Sequence, residues 1–311
     1  MLPERDRLSA WRELYGRSFL RLEHEPLTEV NFSVALEMRR LADIGLVTVK
    51  ISPLRVGRTR ELITDGNDAI TFQMSSTPGI GRQLGREVEV AAGDALALSN
   101  ADVGNFDFPL GSDVLALSLA RRPLAAMVRD LDDLLMRAVP KNTEALWLLR
   151  SYLRILDDAA APATPQVVEL AAAHVCDLAA LALGATRDGV ALAASRGVRA
   201  ARLAAAKEYT RAHLHRPELR IGAVAAHLGV TARYVHLLFE AENHSFSEWV
   251  LAERLARARG RLLTDPGIPI TTIALEAGFS DLSYFNRTFR RRYDGTPTEL
   301  RAELRRAPEA N

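Results

Sequence analysis

The last third of this 311-residue chain says the same thing twice. Ile221, Val224, Ala225 and Gly229 recur 49 positions later as Ile270, Ile273, Ala274 and Gly278. Past each glycine the copies keep step at 50, with Thr231, Tyr234 and Phe239 answering to Asp281, Tyr284 and Phe289. Each copy spells a short helix with a small residue facing its partner, a glycine turn, a capping side chain and a second helix with an aromatic anchor. That is the grammar of a helix-turn-helix, and two such units in one chain fit a protein that sits across two turns of DNA.

The residue types make physical sense at this spacing. Ala225 and Ala274 let the first helix pack closely on the second, where a larger side chain would wedge them apart. Gly229 and Gly278 supply the positive φ that a sharp break between helices needs. Thr231 and Asp281 are good N-caps for the helices that follow. Val235, Leu238 and Phe239, and then Phe285, Thr288 and Phe289, fall at helical intervals and are expected in the local core. The opposite faces carry Arg233, His236 and Leu237 in the first copy. In the second they carry Leu282, Ser283, Asn286 and Arg287, followed by Arg290, Arg291 and Arg292. Two ordinary hairpins of a helical bundle are the bland alternative, and matched caps, glycines and aromatics argue against it.

Between the copies lies an amphipathic stretch from Phe246 to Leu263, with Ser247 as the expected cap. Val250, Leu251, Leu255, Ala258 and Leu262 form one apolar stripe. A helix of this length spans about 25 Å. With the widths of its flanking units it would set two recognition helices roughly 34 Å apart, one turn of B-DNA.

These residues resemble the C-terminal domain of the AraC/XylS transcription regulators. The resemblance rests on Arg254-Leu255-x-x-Ala258-Arg259-x-x-Leu262-Leu263, on Ile273-Ala274-x-x-x-Gly278-Phe279-x-Asp281-x-Ser283-Tyr284-Phe285-x-Arg287-x-Phe289, and on Thr296-Pro297-x-x-Leu300-Arg301. It covers about residues 200–306. It implies a DNA-binding domain over 200–308, with helix-turn-helix units at about 219–241 and 269–293 and a linker helix at about 246–263. Double-stranded promoter DNA is the implied partner, and RNA polymerase is a partner the resemblance also admits. The family's base-reading surface falls on Arg233, His236 and Leu237, then on Leu282, Ser283, Asn286 and Arg287, with Arg291 expected at phosphate. Three positions depart from the family pattern. Leu237 stands where a basic residue is common, which exchanges a guanine contact for a thymine methyl. The glycine usual after the first recognition helix is His244, beside an Asn243 able to turn left-handed. The one after the second is Asp294, with Gly295 displaced by one.

Charge agrees with that division. From Arg199 onward there are 18 Lys+Arg against 13 Asp+Glu, which leaves 22 against 26 in the first 198 residues. A mildly basic tail on an acidic body fits nucleic-acid contact through one end. For Arg301, Arg305 and Arg306 a plain solvated surface is the expectation. The charged start, Met-Leu-Pro-Glu-Arg-Asp-Arg, has no apolar core of a secretory leader. The most apolar run, 167–185, is broken by Glu169, His174 and Asp177, so no membrane span is expected. The single cysteine, Cys176, rules out an intramolecular disulfide and a multi-cysteine zinc site, and is expected to pack as a small core residue. The family implies a cytoplasmic, nucleoid-associated protein.

The first 120 or so residues change period. Phe32, Val34, Leu36 and Met38 alternate, as do Val47, Val49 and Ile51, then Ile70, Phe72 and Met74, then Leu115, Leu117 and Leu119. Turn clusters punctuate them at Ser52-Pro53, Asp65-Gly66-Asn67-Asp68, Thr77-Pro78-Gly79, Ala92-Gly93-Asp94 and Leu110-Gly111-Ser112-Asp113. Short strands at this spacing predict an antiparallel barrel or sandwich. Their order resembles the cupin-like sensor domain found upstream in many members of the same family. A metal-dependent cupin needs clustered histidines with a carboxylate. Only His24 lies here, so neither a metal site nor any cofactor is expected.

From Pro123, placed at a first helical position, to Gly184 the period is helical. Leu146, Leu149, Leu153 and Leu156 form one stripe. Thr164-Pro165 opens a second helix bearing Val168, Ala172, Val175, Ala179 and Ala182. In the family such a pair commonly forms the dimer contact; covering the open side of the barrel is the equal alternative. The whole is expected as an α+β two-domain protein: an N-terminal antiparallel β-barrel (cupin-like) with flanking helices over 1–185, a flexible linker over 186–199, and an all-α domain of two helix-turn-helix subdomains joined by a linker helix. The function expected is a homodimeric, sequence-specific DNA-binding transcription regulator controlled by a small-molecule effector in the N-terminal domain. A regulator whose barrel only dimerises is the first alternative. The second, an enzyme fused to a DNA-targeting tail, finds no nucleophile–base pair, metal cluster or phosphate-binding loop to support it.

Overall fold

The turn clusters of the first unit are places where the chain changes sheet. The computed structural model describes residues 4–13, 16, 21–28, 32–158, 164–265 and 267–306, and divides into Met1–Ala201 and Arg202–Asn311. In the first unit a helix α1 (Glu4–Trp11) precedes ten strands: β1 (Glu23–Pro26), β2 (Val34–Leu41), β3 (Ile44–Ile51), β4 (Leu54–Arg58), β5 (Ile70–Ser75), β6 (Gly79–Gln83), β7 (Arg86–Val90), β8 (Ala95–Ser99), β9 (Gly104–Phe108) and β10 (Ser112–Leu119). A short β11 (Ala138–Val139) follows among the helices. One sheet runs β1-β4-β9-β6-β7 and the other β11-β8-β5-β10-β3-β2, with antiparallel ladders throughout. Each of the five turn clusters carries the chain from one sheet to the other. The expected barrel is therefore two facing sheets that do not close, because among the described residues no ladder joins the edge strands of one to those of the other.

The longer sheet is apolar on both faces, and the alternating rows seen in the sequence belong to different ones. Register pairs Val49 with Val114 and with Leu36, and Val47 with Ala116. This row faces the opposite sheet, where Leu54, Phe106 and Phe108 complete the core with Ile51 and Val114. Phe72 pairs with Leu117, and Met74 with Leu115, on the other face. That face is covered by helix: Leu46, Thr48 and Leu115 share a groove with Trp147, Ser151 and Leu153 of α4 (Glu144–Asp158). Ile70 and Phe72 are fully buried.

The helices before and after follow the expected stripes with local differences. Pro123 sits third in α2 (Arg121–Met127), still in the turn whose N–H groups have no helical partner. A short α3 (Leu131–Leu134) follows. Thr164 and Pro165 open α5 (Pro165–Leu183), and Gly184 closes it at φ 101°. Among the described residues α5 is the helix long and apolar enough to cross a membrane, and half of it is packed inside the first unit. Cys176 is half-buried there, and burial above all pushes its thiol up to about 11, far from a reactive thiolate.

The stretch read as a flexible linker is helical. Thr186 caps α6 (Arg187–Ala193) by accepting from Gly189 N–H, a wide π turn follows over Ala194–Val198, and α7 (Arg199–Ala212) continues directly. Two contacts explain why glycine and charge did not make a loop. Asp177, wholly buried in α5, accepts from Arg196 Nε (2.7 Å) and Nη2 (2.6 Å). Gly197 brings its backbone so close that an added Cβ would stand 2.7 Å from Asp177 Cβ.

Candidate nucleic-acid interface and inter-sheet cavity

The second unit builds each half of the duplicate on its own core. α8 (Ile221–Leu228) ends at Gly229, φ 65°, and α9 (Ala232–Glu240) starts at Thr231, whose hydroxyl accepts from Tyr234 N–H. The two axes turn through 103°, within the range of a helix-turn-helix. α11 (Ile270–Glu276) is followed by Gly278, φ 94°, and α12 (Leu282–Tyr293) by way of Asp281, whose carboxylate accepts from Ser283 and Tyr284 N–H. Val235, Leu238 and Phe239 are buried, as are Phe285, Thr288 and Phe289. The left-handed turn expected at Asn243 is present at φ 63°, and Asp294, standing for the usual glycine, is left-handed as well at φ 56°.

The joining helix α10 (Phe246–Thr264) belongs to both cores. Phe246, Trp249 and Val250 pack with Phe239 of the first helix-turn-helix; Leu255, Ala258 and Leu262 pack with Phe285 and Phe289 of the second. Its cap is Ser245 rather than Ser247, in a reciprocal box with Glu248: Glu248 N–H donates to Ser245 Oγ (3.2 Å) and Ser245 N–H to Glu248 Oε2 (2.7 Å). Phe246 must point inward, which places the cap two residues earlier than the sequence pattern implied. α13 (Pro297–Arg306) opens with the same box at Thr296 and Glu299. Arg301 is not a solvated surface charge, since its Nη2 donates to Ile268 O (2.6 Å). The side chains of Arg305 and Arg306 lie outside the described residues.

All eight residues expected at DNA are solvent-exposed, on the side of α9 or α12 away from the buried aromatics. They are Arg233, His236 and Leu237, then Leu282, Ser283, Asn286, Arg287 and Arg291. Arg287 lies over the Tyr284 ring (5.7 Å to the centroid), and no carboxylate stands within ion-pair distance of Arg233, Arg287 or Arg291 among the described residues. Other basic side chains are tied down: Lys207 to Glu242, Arg211 to Glu253 and Arg261 to Asp265. Arg254 donates to the Leu214 and Arg216 carbonyls. Arg233, Arg287 and Arg291 stand apart from those pairs, exposed on α9 and α12.

The first unit holds a cavity of about 400 Å³ between its sheets. Val34, Val47, Val56, Phe106, Phe108 and Val114 give it apolar walls, and Arg58, Thr71, Gln73 and Ser118 are among its polar groups. No feature of the sequence marked it, because its polar residues are scattered over strands far apart in sequence. His24 also lines it, and burial holds the imidazole down to about 4. The unfolded chain titrates near the ordinary 6.5, so protons favour unfolding. First-unit stability is expected to be complete above about pH 6.5 and to decline as pH falls toward 4. Melting curves across that window for the protein and for His24→Gln check this, the variant losing part of the slope; equal slopes would remove His24 from the account.

Comparison with known proteins gives a consistent picture. A helix-turn-helix domain profile matches residues 224–303, and an AraC-binding-like domain profile matches residues 11–184. Transcriptional activator RhrA of Rhizobium meliloti is 39% identical over 101 residues, 32% of this chain and 32% of that one. This chain thus spans about a third of that relative. Transcriptional activator NphR of a Rhodococcus species is 27% identical over 244 residues, 78% of this chain and 69% of that one. Among solved structures, the AraC-like transcriptional activator CuxR aligns over 86% of this chain and 94% of its own, at 15% identity and a TM-score of 0.48.

Proposed function

This chain belongs to the AraC family of DNA-binding transcription regulators, and on that premise we propose that it reads a promoter with α9 and α12 while a small effector occupies the inter-sheet cavity. The reading rests chiefly on one observation: two capped helices on independent cores expose the residues suited to base edges, and Arg287 has no carboxylate to compete with a guanine. Asn286 is shaped for adenine, and Leu237, 47% exposed, for a thymine methyl. Leu282 adds a second exposed apolar contact. The protein acts in the cytoplasm as a homodimer through α4 and α5, each protomer covering about two turns of a two-part operator, with RNA polymerase as the downstream partner.

Arg287→Ala is expected to weaken binding to the true operator by about 1–3 kcal/mol and to relax the preference at one base pair. Arg291→Ala is expected to weaken all sequences alike and to lower the slope of log K against log salt by about 0.9. Binding-site selection with both variants checks this. An Arg287→Ala protein that keeps the original preference at every position would remove α12 from base readout.

A further inference from the structure

The cavity between the sheets is graded, and its gradient names the kind of molecule it takes. Along the longer sheet the inward rows run from Leu36–Val49–Val114 through Val47–Ala116–Gln73 to Gly45–Ser118–Thr71. Along the shorter sheet they run from Leu54–Phe108 through Val56–Phe106 to Arg58–Gly104. The apolar ends meet, since Leu54 and Phe108 share a core with Ile51 and Val114. The polar ends meet as well. Gln83, next to Gly104 in register, uses its amide on Ser99 at the end of β8 (2.8 Å to both N and O), and the neighbouring Leu98 pairs with Thr71.

Several polar groups lining the cavity are short of partners, His24 Nδ1 and Asn105 Oδ1 among them. The side chain of Gln73, in the middle row, is 9% exposed, lines the cavity and makes no hydrogen bond among the described residues. Arg58 is 7% exposed; its Nη2 donates to Leu62 O and to Asp65 Oδ1 (2.7 Å), while its Nε has no partner. Buried polar groups left in this state are costly unless something meets them. Charge narrows the choice further. No described residue lining the cavity is acidic, and a guanidinium stands at its polar end, so a cation is disfavoured. The Arg58 charge is already answered by Asp65, so a buried carboxylate would be desolvated with no spare positive charge to meet it. A sugar would press hydroxyls against valine and phenylalanine walls.

We propose that the cavity takes a small, uncharged, mainly apolar molecule, aromatic or branched, bearing one carbonyl-type head that accepts from Arg58 Nε and pairs with the Gln73 amide. This rests on the reading of the cavity as an effector site, and narrows it to a chemical class. The body fills the Val–Phe end and the head replaces the missing hydrogen bonds.

Matched probes test it on the full chain by ligand-observed NMR titration: phenylacetamide, phenylacetate, phenylethylammonium and glucose. Phenylacetamide is expected to bind about tenfold or more tighter than the other three. Gln73→Leu should weaken it by roughly three- to tenfold, the worth of one hydrogen bond, without altering the circular dichroism. Ala116→Phe, which fills the space beside Gln73, should abolish it. Should that variant misfold, the Gln73→Leu ratio still decides. Tighter binding of phenylacetate, phenylethylammonium or glucose, lost in Ala116→Phe, would overturn the class and leave the effector site standing. Phenylacetamide affinity unchanged by Gln73→Leu would also overturn the class. No binding by any of the four probes would overturn the class and count against the cavity as an effector site.

Discussion

Gly278→Ala is expected to cost the second helix-turn-helix about 2–5 kcal/mol, whereas Gly229→Ala should cost the first about 1–2 kcal/mol. The duplicate makes these glycines look equivalent, and both adopt positive φ, 65° at Gly229 and 94° at Gly278. Their surroundings differ. A Cβ at Gly229 meets nothing within 4 Å. A Cβ at Gly278 would lie 1.9 Å from Leu214 O and 2.8 Å from Arg254 Nε. Arg254 itself donates to Leu214 O (3.1 Å) and Arg216 O (2.6 Å), so neither obstacle is the free end of a flexible chain. The turn after α11 is therefore locked to the loop after α7 through the joining helix, and the second recognition helix inherits its position from that lock. Hydrogen exchange of α11 and α12 amides in the full-length variants measures both costs, and DNA binding should fail in Gly278→Ala alone. Equal destabilisation by the two substitutions would show that backbone strain is the whole effect.

That asymmetry marks the limit of what a repeat can reveal. Caps, glycines and inward aromatics are local, fixed by residues within a turn of one another, and so Thr231, Asp281, Phe239 and Phe289 are legible in the sequence. The exposed faces of α9 and α12 followed from the same periodicity. Leu214 meeting Gly278 was not legible, because it joins positions 64 apart with no pattern between them. The expected Ser247 cap is two residues off for a related reason: Ser245 and Ser247 are equal by type, and only the reciprocal reach of Glu248 and the inward turn of Phe246 choose between them.

In the first unit the strands and turn clusters were legible, and the closure of the sheets was not. Period-2 alternation states that a strand has two faces and leaves open which one meets the other sheet. Here both faces are buried, so Phe72 and Leu117 on one side and Val47 and Val49 on the other read alike. The cavity inherits that ambiguity. Gln73 and Thr71 look like the solvent side of β5 by sequence, yet they line the space between the sheets. The chemistry of the first unit is therefore written in register, which a single chain's sequence does not carry.

The helical path out of the first unit yields the other large expectation. Arg196→Met should destabilise that unit by about 3–5 kcal/mol, because it strands a wholly buried carboxylate. Both oxygens of Asp177 are held by Arg196, and Gly197 seals the backbone against the same turn of α5. Arg196 is itself 37% exposed, so water reaches the cation but not its partner, and the reciprocal change Asp177→Leu should cost less. The double variant Asp177→Leu/Arg196→Met removes charge and countercharge together and should recover most of the loss, as paired apolar replacements of buried ion pairs do. Protection of residues 187–198 against hydrogen exchange should fall first in the single variant, since the π turn has little else of this strength to hold it to α5. Urea unfolding of the three variants separates the outcomes. A double variant no more stable than Arg196→Met would mean that the segment is held by packing at Gly197 alone, and that the ion pair only decorates it.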